Sequence, residues 1–184
     1  MENSSSSTNN DHPGRFVRAD DPLFPCSVLE EKYSAHCYRY QSSYFSVISR
    51  QNWTKVVELC LLVPNNYQHE CFRTIGTNQV GFNSQASVWK NNCSLLPEEF
   101  RGVCVSGVVS SLSYRFVDEP ALMFNFCSLV DSMDQEECFK QIGLGVAEWS
   151  SLRTQAESIC EGINFEKGRV WCSQGVSLSP LFGS

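Results

Sequence analysis

The stretch CLLVPNNYQHECFRTIG at residues 60–76 aligns without a gap to CSLVDSMDQEECFKQIG at residues 127–143. Nine of the 17 positions are identical, and they include both cysteines, a Leu-Val pair and a closing Ile-Gly. Residues 26–37 match residues 93–104 in a similar way and at the same offset, since 127 − 60 and 93 − 26 are both 67. Such a recurrence is typical of a chain built from repeated supersecondary units, here of two alternating kinds.

The ten cysteines divide the chain more finely. The two members of a pair lie 11 residues apart in the first four pairs and 12 apart in the last, and successive pairs recur with a period of 33–34. A fixed period of this length indicates stacked units, so we expect about five repeats. The pairs are Cys26 with Cys37, Cys60 with Cys71, Cys93 with Cys104, Cys127 with Cys138, and Cys160 with Cys172.

The apolar residues around each cysteine pair predict two helices per repeat. Trp53, Val56 and Cys60 have the spacing of one face of a helix, and Tyr67 and Cys71 lie four positions apart on a second helix. Proline, asparagine and aspartate residues lie between the two segments and indicate a turn. Each repeat is therefore predicted to form an αα-hairpin.

Two local features refine this prediction. Ser132 and Gln135 have the spacing of a capping box, which predicts that the second helix of that repeat begins at Ser132. Gly143 occupies the position of Gly76 in the alignment. We interpret both glycines as points where two helices pack closely.

The cysteine spacing also predicts which cysteines are bonded. With a turn at the midpoint, both members of a pair lie at a similar height on facing helices, within reach of a disulfide. We therefore expect five bonds, each within one repeat and each worth about 2–3 kcal/mol. Free cysteines packed as small apolar side chains are the alternative. A structural zinc site is disfavoured, since the chain has no C-x2-C motif and only three histidines.

These patterns predict an all-α solenoid of about five hairpin repeats, each closed by one disulfide bond. Residues 1–23 are expected to be a disordered N-terminal segment, because the first twelve are almost entirely polar and three prolines follow. The repeat domain is predicted over residues 24–178, with a truncated first helix in its first repeat. Residues 179–184 are expected to form a short C-terminal tail.

A disulfide-closed hairpin that recurs with this period resembles the units of helical-hairpin solenoids, namely tetratricopeptide-like repeats and especially the cysteine-rich Sel1-like proteins. The resemblance covers about residues 24–178 and concerns architecture. Sel1-like units are slightly longer, pair their cysteines at a shorter spacing, and carry an Ala, Gly and Tyr signature that this sequence lacks. The resemblance implies a rigid superhelical binding scaffold and assigns no functional residue.

Composition and cysteine content bear on location. The net charge of −6 gives no general attraction to nucleic acid, and no apolar run is long enough to span a membrane. Disulfides imply an oxidising compartment, so we expect a secreted or lumenal protein. No signal peptide is visible, which suggests that Met1 is not the natural start. Glycosylation sequons at Asn3, Asn52 and Asn92 fit a secreted glycoprotein.

We find no motif for a catalytic, metal or cofactor site in the sequence. His36 and His69 fall on nearly equivalent repeat positions, and we expect both to be solvated helix residues. Tyr40 and Tyr44 lie off the predicted core face of their helix. They form either an exposed patch for a partner or a contact with the N-terminal segment, and we take them as the candidate partner-binding residues.

The sequence thus favours a non-catalytic binding scaffold that presents its repeat surface to a protein or peptide. A structural or assembly subunit of a larger complex is the first alternative. The accessory domain of an enzyme is the second. The oligomeric state does not follow from the sequence.

Overall fold

A computed structural model describes Arg18 and residues 20–182, and over these residues the chain is helical and contains no strand. The predicted all-α class is therefore confirmed. One 3₁₀ turn, Cys26–Val28, precedes the α-helices. The helices are α1 (Glu31–Ile48), α2 (Trp53–Leu61), α3 (Asn65–Gln79), α4 (Ala86–Cys93), α5 (Glu98–Arg115), α6 (Pro120–Leu129), α7 (Ser132–Trp149), α8 (Arg153–Glu161) and α9 (Glu166–Leu178).

Five disulfide bonds are present, as many as the sequence predicts, and they join the two cysteines of each predicted pair. The bonds are Cys26–Cys37, Cys60–Cys71, Cys93–Cys104, Cys127–Cys138 and Cys160–Cys172. Their Cα atoms are 5.5–5.7 Å apart, the usual separation for a disulfide. Each of the short helices α2, α4, α6 and α8 is thereby bonded to the longer helix that follows it. We call each such unit a helix pair.

A recurring hydrogen bond closes the turn of each helix pair. The side chain three positions before the second cysteine donates to the carbonyl oxygen three positions after the first. This bond satisfies a carbonyl at the end of the short helix and ties the turn to the long helix. The bonds run from Gln68 to Val63 (3.0 Å), Arg101 to Leu96 (3.2 Å), Gln135 to Val130 (3.4 Å) and Arg169 to Ile163 (2.8 Å).

The predicted capping box at the start of α7 is wrong. Asp131 is the residue that flanks the helix, Ser132 is already helical, and no side chain caps this helix end. Gln135 donates its amide to the carbonyl of Val130 instead of folding back onto the helix terminus. The spacing of Ser132 and Gln135 fits both a capping box and the bond from Gln135 to Val130. Gln135 bonds the Val130 carbonyl because that carbonyl would otherwise have no partner.

The long helices pack side by side in chain order. Helix α1 contacts α3, α3 contacts α5, α5 contacts α7, and α7 contacts α9. The short helices pack mainly on the long helices next to them, and α4 also contacts α6. The buried apolar side chains lie between these two sets of helices. Because each long helix contacts the next one, the five long helices form a continuous layer. We refer to this set of five helices as the long-helix layer.

Paired glycines allow two of these helix contacts to be very close. A Cβ atom on Gly76 would lie 2.0 Å from the carbonyl oxygen of Cys104, and one on Gly107 would lie 2.0 Å from that of Arg73. The contact of α7 with α9 is built in the same way by Gly143 and Gly175. Backbone therefore touches backbone across both contacts, as the alignment of Gly76 with Gly143 suggests.

The N-terminal part of the described chain contacts α1. Gln41 donates a hydrogen bond to the carbonyl of Pro22, and Leu23 packs against the core. Pro22 and Leu23 fall in the segment 1–23 that the sequence assigns to disorder, of which residues 1–17 and Ala19 lie outside the described part of the chain. The first repeat has one 3₁₀ turn where the others have a short α-helix, which agrees with the expected truncation.

We predict that Gly107→Ala lowers the free energy of unfolding by about 2 kcal/mol or more, because the added methyl group must displace the backbone of α3. Gly102→Ala is the control on the same helix. Its added Cβ would lie 3.5 Å from the nearest atom, Asp134 Oδ1, and alanine favours a helix by up to about 1 kcal/mol. Denaturant unfolding under non-reducing conditions measures both variants. Equal stability of the two would contradict the close contact of α3 with α5.

Candidate functional site

The structure separates the two tyrosines that the sequence groups together. Tyr44 is half-buried, and its hydroxyl donates a hydrogen bond to the carbonyl oxygen of Arg18 at 3.3 Å. Tyr40, one helical turn earlier on α1, is 70% exposed. Tyr44 therefore contacts the N-terminal segment, whereas Tyr40 is free to contact another molecule.

Tyr40 lines a cleft of about 460 Å³ between α1 and α3. Both helices belong to the long-helix layer. We refer to it as the Tyr40 cleft. Its lining residues are Arg39 and Tyr40 from α1, and His69, Glu70, Arg73, Thr74 and Thr77 from α3.

An ion pair joins the two walls of the Tyr40 cleft. Arg39 Nε donates a hydrogen bond to Glu70 Oε2 at 2.7 Å. This hydrogen bond is the main reason why the pKa of Glu70 lies below its usual value, and it outweighs the opposing effect of partial burial. Deeper in the contact, Ser42 donates to the hydroxyl of Thr74 at 2.7 Å. The walls are thus held together by direct polar contacts.

Arg73 is the arginine of the cleft that forms no salt bridge in the part of the chain that the structure describes. Its Nη2 atom donates to the hydroxyl of Ser110 on α5 at 3.1 Å. Within the described chain no Asp or Glu oxygen lies within 4.0 Å of its guanidinium. A guanidinium has five N–H donors, so most remain available to a ligand. A hydrogen bond to a neutral hydroxyl fixes its position without cancelling its charge.

A second and larger cleft, of about 620 Å³, lies between α7 and α9. Lys140 pairs with Glu136, whereas Arg169 donates to the neutral carbonyl of Ile163 and forms no salt bridge within the described chain. The other lining residues are Val170, Ser173, Gln174, Ser177 and Leu178. This cleft therefore combines apolar and hydroxyl side chains with one arginine that has no carboxylate partner among the described residues.

Sequence reasoning missed both clefts, since neither contains a recognised motif. One signal was present in the repeat alignment. A basic residue lies two positions after the second cysteine in three of the five long helices, as Arg39, Arg73 and Lys140. The spacing places these three side chains at equivalent points on the same layer.

The histidines and acidic residues do not assemble into a metal site. His36 and His69 are both exposed, and the described residues contain no group of three or more His, Cys, Asp or Glu side chains arranged to hold a metal ion. Asp131, at the turn before α7, pairs with Lys90 at 3.1 Å. Burial is the main cause that raises the pKa of the neighbouring Asp134.

The three sequons differ in their surroundings. Asn3 lies outside the described residues. Asn52 is exposed at the start of α2, where its side-chain oxygen accepts a hydrogen bond from the backbone N–H of Lys55 at 3.3 Å. The Nδ2 atom of Asn92, to which a glycan would be attached, is buried. Of the two described sequons, only Asn52 is compatible with a glycan on the folded chain.

Comparison with protein families, curated proteins and solved structures gives no match to this chain. Nor do the described residues include a helix with both the length and the apolar character needed to cross a membrane.

We predict that Arg39→Gln lowers the free energy of unfolding by at most about 1 kcal/mol at neutral pH, because this partly exposed pair is screened by solvent. A carboxylate whose folded pKa is depressed stabilises the fold above its unfolded pKa of about 4.3 and loses that contribution as the pH falls through the folded value. The difference between wild type and variant should therefore disappear in acid. Denaturant titrations over a pH series measure it.

The matched control for this prediction is Lys32→Gln. Its pair with Glu30 is far more exposed, so removing it should leave stability unchanged at every pH. A difference between Arg39→Gln and wild type that persists below pH 3 would show that the Arg39–Glu70 ion pair is not its source.

Proposed function

We propose that this chain is a non-catalytic binding scaffold, a solenoid of five disulfide-closed helical hairpins that presents its long-helix layer to a protein or peptide partner. One observation carries the proposal. An exposed tyrosine and an arginine that forms no salt bridge within the described chain line the same cleft, on helices that disulfides and close backbone contacts hold in place. Rigid elements that display aromatic and arginine side chains are favourable binding surfaces, because little conformational entropy is lost on binding.

The solenoid part of the proposal is supported by the order and recurrence of the helix contacts. The long helices contact one another in chain order, and the glycine contact of α3 with α5 recurs between α7 and α9. Gly76 and Gly143 are 67 residues apart, the offset of the sequence alignment, and Gly107 and Gly175 are 68 apart because the last cysteine pair contains one extra residue. The arrangement is similar to that of tetratricopeptide-like and Sel1-like solenoids, and this similarity favours a binding role for the layer.

Five disulfide bonds indicate an oxidising environment, either extracellular or lumenal. We propose that the chain enters such a compartment by secretion. In that case Asn52 is the favoured glycan acceptor of the two described sequons, because its side chain is exposed. Glycosylation of Asn92 would disrupt the packing around Cys93.

An assembly subunit is the second candidate, and the end of the long-helix layer favours it. Ser42 on α1 and Val109 on α5 lie five positions after their cysteines and are fully buried. The equivalent residue on α9, Ser177, is exposed, and Leu178 and Leu181 beside it are 66% and 61% exposed. The side of α9 that carries Ser177 therefore corresponds to the side on which α1 and α5 contact the next long helix. On α9 this side is exposed.

The direct test is a selection of binders from a randomised peptide library, followed by hydrogen exchange of the disulfide-bonded chain with a selected peptide. We expect slower exchange in α1 and α3, around the Tyr40 cleft. Protection confined to the short helices α2, α4, α6 and α8, or the absence of any selected binder, would contradict the proposal. Light scattering of the free chain distinguishes the two candidate functions by mass. A scaffold is expected to be monomeric, whereas an assembly subunit is expected to associate.

A further inference from the structure

The two related helices α3 and α7 differ at one informative pair of positions. On α7, Glu136 and Lys140 are one helical turn apart and form a salt bridge. The positions aligned with them on α3 hold His69 and Arg73. The basic residue is thus kept on both helices, whereas the acidic residue that neutralises it on α7 is replaced by histidine on α3.

This replacement leaves the Tyr40 cleft with one uncompensated positive charge. The cleft lining contains two arginines and one glutamate. Glu70 forms a salt bridge with Arg39 at 2.7 Å and also attracts Arg73 on its own helix, so the lining keeps a net charge of 2 − 1 = +1. The hydroxyl of Ser110 fixes the Arg73 guanidinium, and His69 lies one helical turn away as an N–H donor in either of its protonation states.

The other walls of the cleft suit a peptide. Tyr40 offers an exposed ring surface against which a side chain or peptide plane can pack. The hydroxyl of Thr77 is engaged with backbone carbonyls of α3 and α5, so it shapes the cleft without competing for the arginine. A single net charge matches a monovalent carboxylate, while the net charge of −6 on the whole chain opposes polyanions.

We propose that the Tyr40 cleft binds a carboxylate of an acidic peptide segment, with Arg73 and His69 as donors and Tyr40 as the packing surface. This inference rests on the proposed role of the long-helix layer in peptide binding. At the aligned position on α7, Lys140 is already paired with Glu136, so we expect that residue to bind an added carboxylate less well than Arg73 does.

The experiment is an NMR titration of the full, disulfide-bonded, ¹⁵N-labelled chain at low ionic strength. The probe is the acetylated and amidated tripeptide Gly-Glu-Gly, which carries one carboxylate, and the control probe is the corresponding tripeptide Gly-Gln-Gly. We expect the glutamate peptide to shift the backbone amides of residues 69–77 and the side-chain Nε–H of Arg73. The glutamine peptide should leave them unchanged, because it carries no charge for the guanidinium to bind.

Two variants test the assignment of donors. His69→Glu restores on α3 the acidic–basic pair that α7 has, so it should weaken binding at least about tenfold while the fold is retained. Arg73→Gln should abolish the shifts. Lys55→Gln is the matched control, because Lys55 is exposed on α2 in the other set of helices and its removal changes the net charge equally. It should leave the affinity within about twofold.

Several results would overturn the inference. These are equal shifts with the two peptides, unchanged affinity in His69→Glu, equal weakening by Lys55→Gln and Arg73→Gln, or no shifts at the Tyr40 cleft. Binding of inorganic phosphate without binding of the glutamate peptide would also overturn it. If the cleft fails to bind the acidic peptide while library-selected peptides still protect α1 and α3 from exchange, the scaffold proposal stands and only the choice of ligand is wrong.

Discussion

The disulfide bond within each helix pair is the constraint on which the rest of the structure depends. The short helices α2, α4, α6 and α8 have 8–10 residues, less than the roughly 12–15 that an isolated helix needs for marginal stability in water. A bond to the next long helix fixes each of them near its C-terminal end. Closing a loop of this size stabilises the fold by about 3 kcal/mol. The hydrogen bond from the long helix to the turn then fixes the angle at which the two helices meet.

With the short helices fixed in this way, the long helices pack against one another through aromatic pairs such as Phe72 with Phe100 and, further along the helices, through small residues. The contact of α3 with α5 brings backbones together at Gly76 and Gly107, and the contact of α1 with α3 is made by polar side chains such as Ser42 and Thr74. Next to these contacts Tyr40 remains exposed and Arg73 forms no salt bridge among the described residues, and the proposed binding role requires both properties.

The helical class and the disulfide pairing were predictable because cysteine spacing and apolar periodicity are local signals. The close contact at Gly76 also followed from its alignment with Gly143. The Tyr40 cleft was not predictable, because Arg39 and Glu70 are far apart in the sequence and meet only after α1 packs on α3. For the same reason Tyr40 and Tyr44 could not be told apart, since only the folded N-terminal segment covers Tyr44. The capping box predicted at Ser132 was wrong because the spacing of Ser132 and Gln135 is compatible with two different hydrogen bonds.

Non-reducing peptide mapping tests the central constraint most directly. Trypsin cleaves between the cysteines of the first, third and fifth pairs, but no Lys or Arg lies between Cys60 and Cys71 or between Cys127 and Cys138. The account therefore predicts three linked pairs of peptides and two peptides that each contain an internal disulfide. A peptide that joins two helix pairs, such as one linking Cys37 to Cys60, would contradict it.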